Sequence, residues 1–235
     1  MHEADHIVSL FTRDQGKLKG IAKSSARSRR LFGGALEPMT HVLASYVEKP
    51  RQELVRLDSC EILVSPLSEP VDYARASALA FFAEVLDETL PDHDPQDPVF
   101  RLALAVLEHT RAGEVWLPVT YFGLWITRLM GWMPDLAHCL TCRTAFAGGP
   151  AYFQPQADGL VCYEHRSPAS RALSAPSLIA ADRIFRNPIG VLAAEDWSRS
   201  RAADLRRFTL QSLERHLERR LHSAAALARL GSEVS

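Results

Sequence analysis

The spacing of apolar positions divides the chain into stretches of different period. Over the first 65 or so residues they come in short runs: Ile7-Val-Ser-Leu-Phe-Thr, Leu18-Lys-Gly-Ile-Ala, Thr40-His-Val-Leu-Ala-Ser-Tyr-Val and Glu53-Leu-Val-Arg-Leu. The runs are rich in β-branched or aromatic residues, which fit a pleated, half-buried surface. Turn formers separate them: Asp14-Gln15-Gly16, Gly33-Gly34 and Lys49-Pro50. Short strands at this spacing predict a small barrel or sandwich.

From Pro66 to Pro70 the period changes. Ala76, Leu79, Ala80, Ala83, Leu86 and Leu90 recur at helical spacing until Pro91 ends the run. Asp97-Pro98 predicts an N-cap with proline at the first helical position, opening a second helix that runs to Gly113. Pro118 opens a third, apolar nearly all round and therefore buried. Residues 71–133 thus predict a compact helical unit with the third helix at its centre. Beyond Ser174-Ala-Pro the helical pattern returns. Leu205, Phe208, Leu213, Leu217 and Leu221 mark one face of a single long helix, interleaved with Arg206, Arg207, Arg215, Arg219 and Arg220. Asp204, Glu214 and Glu218 lie among these arginines, so i,i+4 pairs on a solvated face account for most of that charge.

Composition adds little to this picture until it is taken by region. The 235 residues are 47% apolar and 23% charged, ordinary for a globular protein and enough for one large domain or two to three small ones. The net charge of -1 says nothing about partners. Residues 1–60, however, hold ten Lys/Arg against seven Asp/Glu, and residues 61–150 hold five against twelve. The chain is basic at its front and acidic in its middle. Met1 to Asp5 carry two acids and no apolar core of a secretory signal. The most apolar stretch, Val119 to Met133, is about fifteen residues long and contains Arg128, short of the ~20 that span a bilayer. A cytoplasmic protein with no membrane partner is expected, and in that compartment close cysteine pairs point to metal rather than disulfide.

Three of the four cysteines fall in one segment: Cys139-Leu-Thr-Cys142, nineteen residues, then Cys162-Tyr-Glu-His165. A two-residue gap lets the backbone curl so that both side chains meet one ion, and three thiolates with one imidazole make a closed tetrahedral set for Zn²⁺. Gly148-Gly149 and Asp158-Gly159 are turn signals, with Ala151-Tyr-Phe and Gly159-Leu-Val strand-like beside them, so a small hairpin joins the knuckles. Cys60 is expected as a buried strand-end residue rather than a ligand. A full shell leaves no open position for catalysis. The deaminase order, His-x-Glu followed by Pro-Cys-x-x-Cys, is also absent: His138 precedes Cys139, and the His-x-Glu at His216 comes after the cysteines. The ion is expected to be structural. No Gly-rich phosphate loop and no G-x-S-x-G element support an ATPase or serine hydrolase.

Residues 13–30 carry Arg13, Lys17, Lys19, Lys23, Arg27, Arg29 and Arg30 against one acid, Asp14. Ser24-Ser-Ala-Arg-Ser-Arg-Arg reads as a polar loop between strands. Such a run is either a solvated face or a phosphate-binding surface, and its setting on a small β-barrel favours the second, because such barrels bind single strands along one face. Phe11 and Phe32 are candidates to stack on bases and equally candidates for the core.

Three stretches together resemble the bacterial recombination mediator family RecO. They are Ile7-Val-Ser-Leu-Phe-Thr-Arg-Asp-Gln-Gly-Lys-Leu-Lys-Gly-Ile-Ala-Lys with the basic loop and Gly33-Gly34-Ala-Leu-Glu-Pro38, then Gly131-Trp-Met-Pro-Asp-Leu-Ala-His-Cys-Leu-Thr-Cys142, then Leu205-Arg-Arg-Phe through His216-Leu-Glu-Arg-Arg-Leu-His-Ser223. The resemblance implies an α+β protein. Residues 1–68 would form an N-terminal OB-fold β-barrel that binds nucleic acid. Residues 69–235 would form an α-helical domain carrying a zinc-knuckle insert at 135–167. It also implies a non-enzymatic, nucleoid-associated factor that binds single- and double-stranded DNA and anneals complementary strands. Such a factor works with RecR to load recombinase onto strands coated by single-strand-binding protein. The metal ligands carry over to Cys139, Cys142 and Cys162; the fourth is often cysteine in the family, and His165 is an acceptable replacement. DNA contact carries over to the basic residues from Arg13 to Arg30. Members usually begin with another apolar strand ahead of the segment matching His2-Glu-Ala-Asp-His-Ile. Met1 stands just after that strand should end, whether by shortening at an internal methionine or by its natural absence, so an OB barrel lacking its first strand is expected, with an exposed edge. The competing readings are a zinc-stapled protein-interaction module without direct DNA binding and a zinc hydrolase.

Overall fold

The computed structural model describes residues 5–23, 32–50, 52–111 and 113–230. It opens with four strands, β1 (His6–Thr12), β2 (Gly16–Ala22), β3 (His41–Val47) and β4 (Leu54–Val64). β1 and β2 make an antiparallel hairpin in which His6 faces Ala22 and Thr12 faces Gly16. β4 runs parallel to β2, with Lys19 opposite Leu54, and antiparallel to β3, with Leu43 opposite Glu61. The sheet order is β1-β2-β4-β3. Closing a barrel requires the outer strands to bond each other. Among the described residues β1 pairs only with β2 and β3 only with β4, so the sheet is open and no closed barrel is formed, in keeping with the exposed edge expected of a barrel without its first strand. Its core is small: Ala22, Phe32, Ala35, Val55, Leu57 and Cys60, flanked by half-buried Val8, Leu10, Val42 and Tyr46. Cys60 is buried as expected, but β4 continues past it to Val64. Burial pushes its thiol above the usual range.

The rest of the chain is helical around one apolar cluster: α1 (Tyr73–Thr89), α2 (Asp97–His109), α3 (Trp116–Leu129), α4 (Ala175–Arg186), α5 (Ile189–Leu192), α6 (Ala203–His216) and α7 (His222–Arg229). Asp72 caps α1 by accepting from the Arg75 amide at 2.7 Å. The expected cap at Asp97 is displaced by one residue. Gln96 precedes the helix, and Asp97 lies in its first turn with its carboxylate turned to arginines. α2 stops at His109 rather than Gly113. α3 begins at Trp116, with Pro118 in its first turn, where a missing amide proton leaves no bond unmade. Ten of the fourteen α3 residues are buried, which makes it the central helix. Its Thr120 and Thr127 hydroxyls donate to the Trp116 and Gly123 carbonyls at 2.6 Å, so buried polar groups stay satisfied. A Cβ on Gly123 would stand 2.9 Å from Thr209 Oγ1, so glycine permits the close contact of α3 with α6.

The single long helix expected from the leucine spacing is two helices. After α6 the chain turns through Glu218 at φ 54°, and α7 starts anew at His222. Its cap comes from α1: Glu84 accepts from the His222 and Ser223 amides at 2.8 and 2.7 Å and from the Ser223 hydroxyl. Glu214 accepts from the Leu221 amide at 3.1 Å. Heptad-like leucines alone cannot reveal carboxylates supplied from another helix.

The insert between α3 and α4 contains β5 (Ala151–Phe153), β6 (Leu160–Val161) and β7 (Arg171–Leu173), ordered β6-β5-β7. The hairpin was expected; β7 was not. Ala151, Phe153, Leu160 and Leu173 are buried in the same cluster as the helices, so this sheet is built into the helical core. The Phe153 ring meets Phe208 of α6 edge-on at 5.3 Å.

Candidate metal centre and nucleic-acid interface

Cys139 and Cys142 sit on a tight turn after α3. The Cys139 amide donates to the Thr144 carbonyl and the Arg143 amide to the Cys139 carbonyl, both at 2.9 Å, with Arg143 left-handed at φ 61°. Cys162 and His165 flank a 3-10 turn that directly follows β6, in which the His165 amide donates to the Cys162 carbonyl at 3.1 Å. The two knuckles meet because the Leu140 amide donates to the Leu160 carbonyl at 2.7 Å. Gly159 makes room, since a Cβ there would stand 2.8 Å from the Leu140 side chain.

The four ligand atoms lie within 4.8 Å of one another and could hold a metal ion. A tetrahedron with bonds of ~2.3 Å has edges of about 3.8 Å. The Cys142–Cys162 sulfur separation and the Cys139 sulfur to His165 Nδ1 separation are both 3.8 Å, and Cys162 to His165 Nδ1 is 3.2 Å. These gaps are too wide for a disulfide, whose sulfurs lie about 2.05 Å apart. Nδ1 is the nitrogen turned to the sulfurs. Cys139 is buried while Cys142 and His165 are exposed. Burial opposes the Cys139 thiolate, but amides of Cys142, Cys162 and Thr141 pull its pKa down to about 6, which suits a thiolate ligand. All four residues singled out from the sequence are thus brought together.

The basic residues from Arg13 to Lys23 are distributed differently. Lys17 points into the seam between the sheet and the helices. It is 12% exposed, donates to the Asp87 carbonyl at 2.5 Å and lies 3.4 Å from the Asp92 carboxylate. Arg13 bonds Asp97 at 2.6 Å and Lys19 lies 3.8 Å from Asp92, yet their side chains stay 60% and 55% exposed. Lys23 is exposed at the end of β2. Arg27, Arg29 and Arg30 lie outside the described residues. Phe32 is buried in the sheet core, and Phe11 packs edge-on against Phe100 of α2 at 5.6 Å, so both serve packing.

Sequence reasoning missed the seam itself. The β1–β2 turn is seated on the loop before α2: the His93 amide donates to the Lys17 carbonyl at 2.9 Å, and Ser9 donates to Asp87 at 2.6 Å. Gly16, at φ 71°, lies so close that a Cβ would meet the Asp94 backbone at 2.5 Å. Asp97 also binds Arg101 at 3.0 Å. The Arg13 guanidinium, with Arg101 beside it, holds the Asp97 carboxyl below its usual range. The only cue in the sequence was the charge contrast between the basic front and the acidic middle. No helix of the described residues is long and apolar enough to cross a membrane.

Comparison with known proteins places this geometry. Residues 1–66 match the family Recombination protein O N terminal, and residues 70–225 match Recombination protein O C terminal. The chain is 53% identical over 230 residues to DNA repair protein RecO of Koribacter versatilis, covering 98% of this chain and 94% of that one. It is 31% identical over 232 residues to the protein of that name in Anaeromyxobacter sp. strain K, covering 97% and 91%. With that of Syntrophobacter fumaroxidans it shares 34% identity over 175 residues, 73% and 68% of the two chains. RecO is a family of DNA repair mediators and not of enzymes. Both profiles and nearly full-length identity agree, and the chain belongs to the recombination protein O family.

Proposed function

We propose that this protein is a cytoplasmic, nucleoid-associated DNA repair factor that binds and anneals single-stranded DNA. With RecR, it helps load recombinase onto strands coated by single-strand-binding protein. Residues 1–68 serve as the nucleic-acid-binding domain of OB type, and residues 69–235 as a helical domain with its zinc-binding insert at 135–167. The observation that carries this reading is the basic strip on the β1–β2 hairpin and its ends: Arg13 and Lys19 remain largely exposed and Lys23 is exposed just after β2, with Arg27, Arg29 and Arg30 following in the sequence. Cations at these positions suit phosphate oxygens, whose neutralisation releases counterions and makes binding salt-dependent. Family membership supports the repair role. Zn²⁺ fits Cys139, Cys142, Cys162 and His165 as a closed shell that staples two knuckles; it supplies folding free energy and no open coordination position.

The test is annealing of complementary oligonucleotides, with and without single-strand-binding protein, alongside binding titrations at several salt concentrations. Lys19→Ala/Lys23→Ala/Arg27→Ala is expected to weaken binding about tenfold or more at low salt and to flatten the salt slope by about 0.7 for each phosphate left unneutralised. Unchanged affinity and slope would refute the site assignment. A second reading, a protein-interaction module, draws on Leu43, Ile62, Leu63, Val64 and Leu67, all exposed around β3 and β4. It predicts partner binding with no measurable DNA affinity at any salt concentration.

A further inference from the structure

Asp97 is held between two arginines from different parts of the fold. Arg13 follows β1 in the sheet, Arg101 lies on α2, and their nitrogens stand 2.6 and 3.0 Å from the two carboxylate oxygens. We propose that Arg13 and Arg101 form a clamp for one backbone phosphate of single-stranded DNA, and that Asp97 occupies the phosphate's place in the free protein. The clamp rests on the DNA-binding reading above and extends its surface across the seam onto the helical domain.

Geometry and exposure carry the inference together. Each arginine reaches one carboxylate oxygen through its Nε, and an N–H that meets a carboxylate oxygen equally meets a phosphate oxygen, so the carboxylate marks where such an anion fits. Arg13, Asp97 and Arg101 are 60%, 46% and 65% exposed, leaving the position open to a strand passing along the surface. Ion pairs this exposed are screened by water and contribute little, so a phosphate displaces the carboxylate at small cost. The seam does not depend on them, since it is also held by Lys17, by the close approach of Gly16 to Asp94 and by the Phe11–Phe100 contact. Arg13 lies 5.8 Å from the Phe100 ring centroid, which restrains its head group beside Arg101.

A second carboxylate between two arginines shows what a structural version looks like. Glu195 binds Arg183 and Arg201, but Glu195 is only 28% exposed and Arg201 31%, with Arg201 lying over the Trp197 ring at 4.2 Å. That pair closes a loop. The Asp97 pair faces solvent beside the basic strip, where Lys19 and Asp92 repeat the arrangement more loosely at 3.8 Å.

The experiment titrates a fluorescently labelled oligothymidylate with the full chain and with Asp97→Asn, which keeps the shape of the side chain and removes its charge. Asp97→Asn is expected to tighten binding about three- to tenfold at low salt and to steepen the salt slope by about 0.7 for each further phosphate neutralised. Asp97→Asn/Arg101→Gln is expected to abolish that tightening, and Arg101→Gln alone to bind more weakly than the unmodified chain. Asp97→Ser, a good residue for a helix start, is the second charge-removing variant, and thermal melts of each establish folding. Salt-dependent binding that is identical with and without Asp97 would overturn the clamp and leave the DNA-binding reading standing. Tightened binding that persists in Asp97→Asn/Arg101→Gln would also overturn it. Absence of DNA binding in every variant and in the unmodified chain would remove both.

Discussion

The sheet and the helical region bury their apolar residues in different ways. In the helical region one cluster runs from Ala78 to Ala224 and takes in Phe153, Leu160 and Leu173 of the insert. In the sheet six buried residues, among those described, form a separate core beneath an open edge, and Leu43, Ile62 and Val64 face solvent. A small core with an open edge gains less from burial, because more of each side chain stays in contact with water. The sheet compensates by leaning on its neighbour. Gly16 sits against the Asp94 backbone, Lys17 reaches Asp87 and Asp92, and Phe11 and His41 both meet the Phe100 ring. One region carries its own order; the other takes part of its order from a seam.

The largest expected effect is on the helical side. Cys139→Ser, or removal of metal by a chelator, should lower zinc content from one per chain to near zero. Stability should fall by on the order of 5 kcal/mol, less than the ~10–16 of isolated zinc-finger peptides because the helical core persists. Metal analysis, thermal unfolding and hydrogen exchange read this out. Loss of protection in β5, β6 and β7 with β1 to β4 unaffected would keep the two regions distinct, and simultaneous loss in the four-stranded sheet would merge them.

Gly16→Ala tests the seam. A left-handed alanine whose Cβ meets the Asp94 backbone at 2.5 Å cannot be accommodated without moving the turn. The expected cost is about 2–4 kcal/mol by urea unfolding, summing the left-handed penalty and overpacking. Faster exchange should be confined to β1 and β2. A neutral result would mean that the sheet does not lean on the helices.

Glu84→Gln, the smallest effect, asks how self-sufficient the helical region is at its last helix. Partial burial works against the Glu84 carboxylate, but hydrogen bonds from Ser223 and His222 outweigh it and hold its pKa below the ordinary 4.5. A carboxyl depressed on folding contributes stability that is present above its unfolded pKa and lost as pH falls through the folded value. The variant should therefore cost about 1 kcal/mol at neutral pH, the usual worth of a cap, and nothing once the pH is below the folded value. Equal destabilisation at neutral and strongly acidic pH would remove the charge from the explanation.

Local pattern made much of this molecule readable. The four strands, the buried α3 and the Cys139, Cys142, Cys162, His165 set each follow from periods of two or 3.6 residues or from ligand spacing within a few residues. The features that escaped depend on segments far apart in the chain. The expected long final helix breaks because Glu84, 138 residues from His222, caps a new start. Asp97 left the cap position to bind Arg13, 84 residues away. β7 is only three residues long and exists as a partner for β5.

The amino-acid sequence alone therefore determined β1 to β4, the buried α3, the four residues that could hold a metal ion and the family, because these are encoded in spacing and in residue identity. Only the tertiary structure decided that Lys17 faces inward while Arg13 and Lys19 remain exposed. It alone showed that an acid from α2 stands among the basic residues. Those outcomes depend on which surfaces meet, and no local period carries that information.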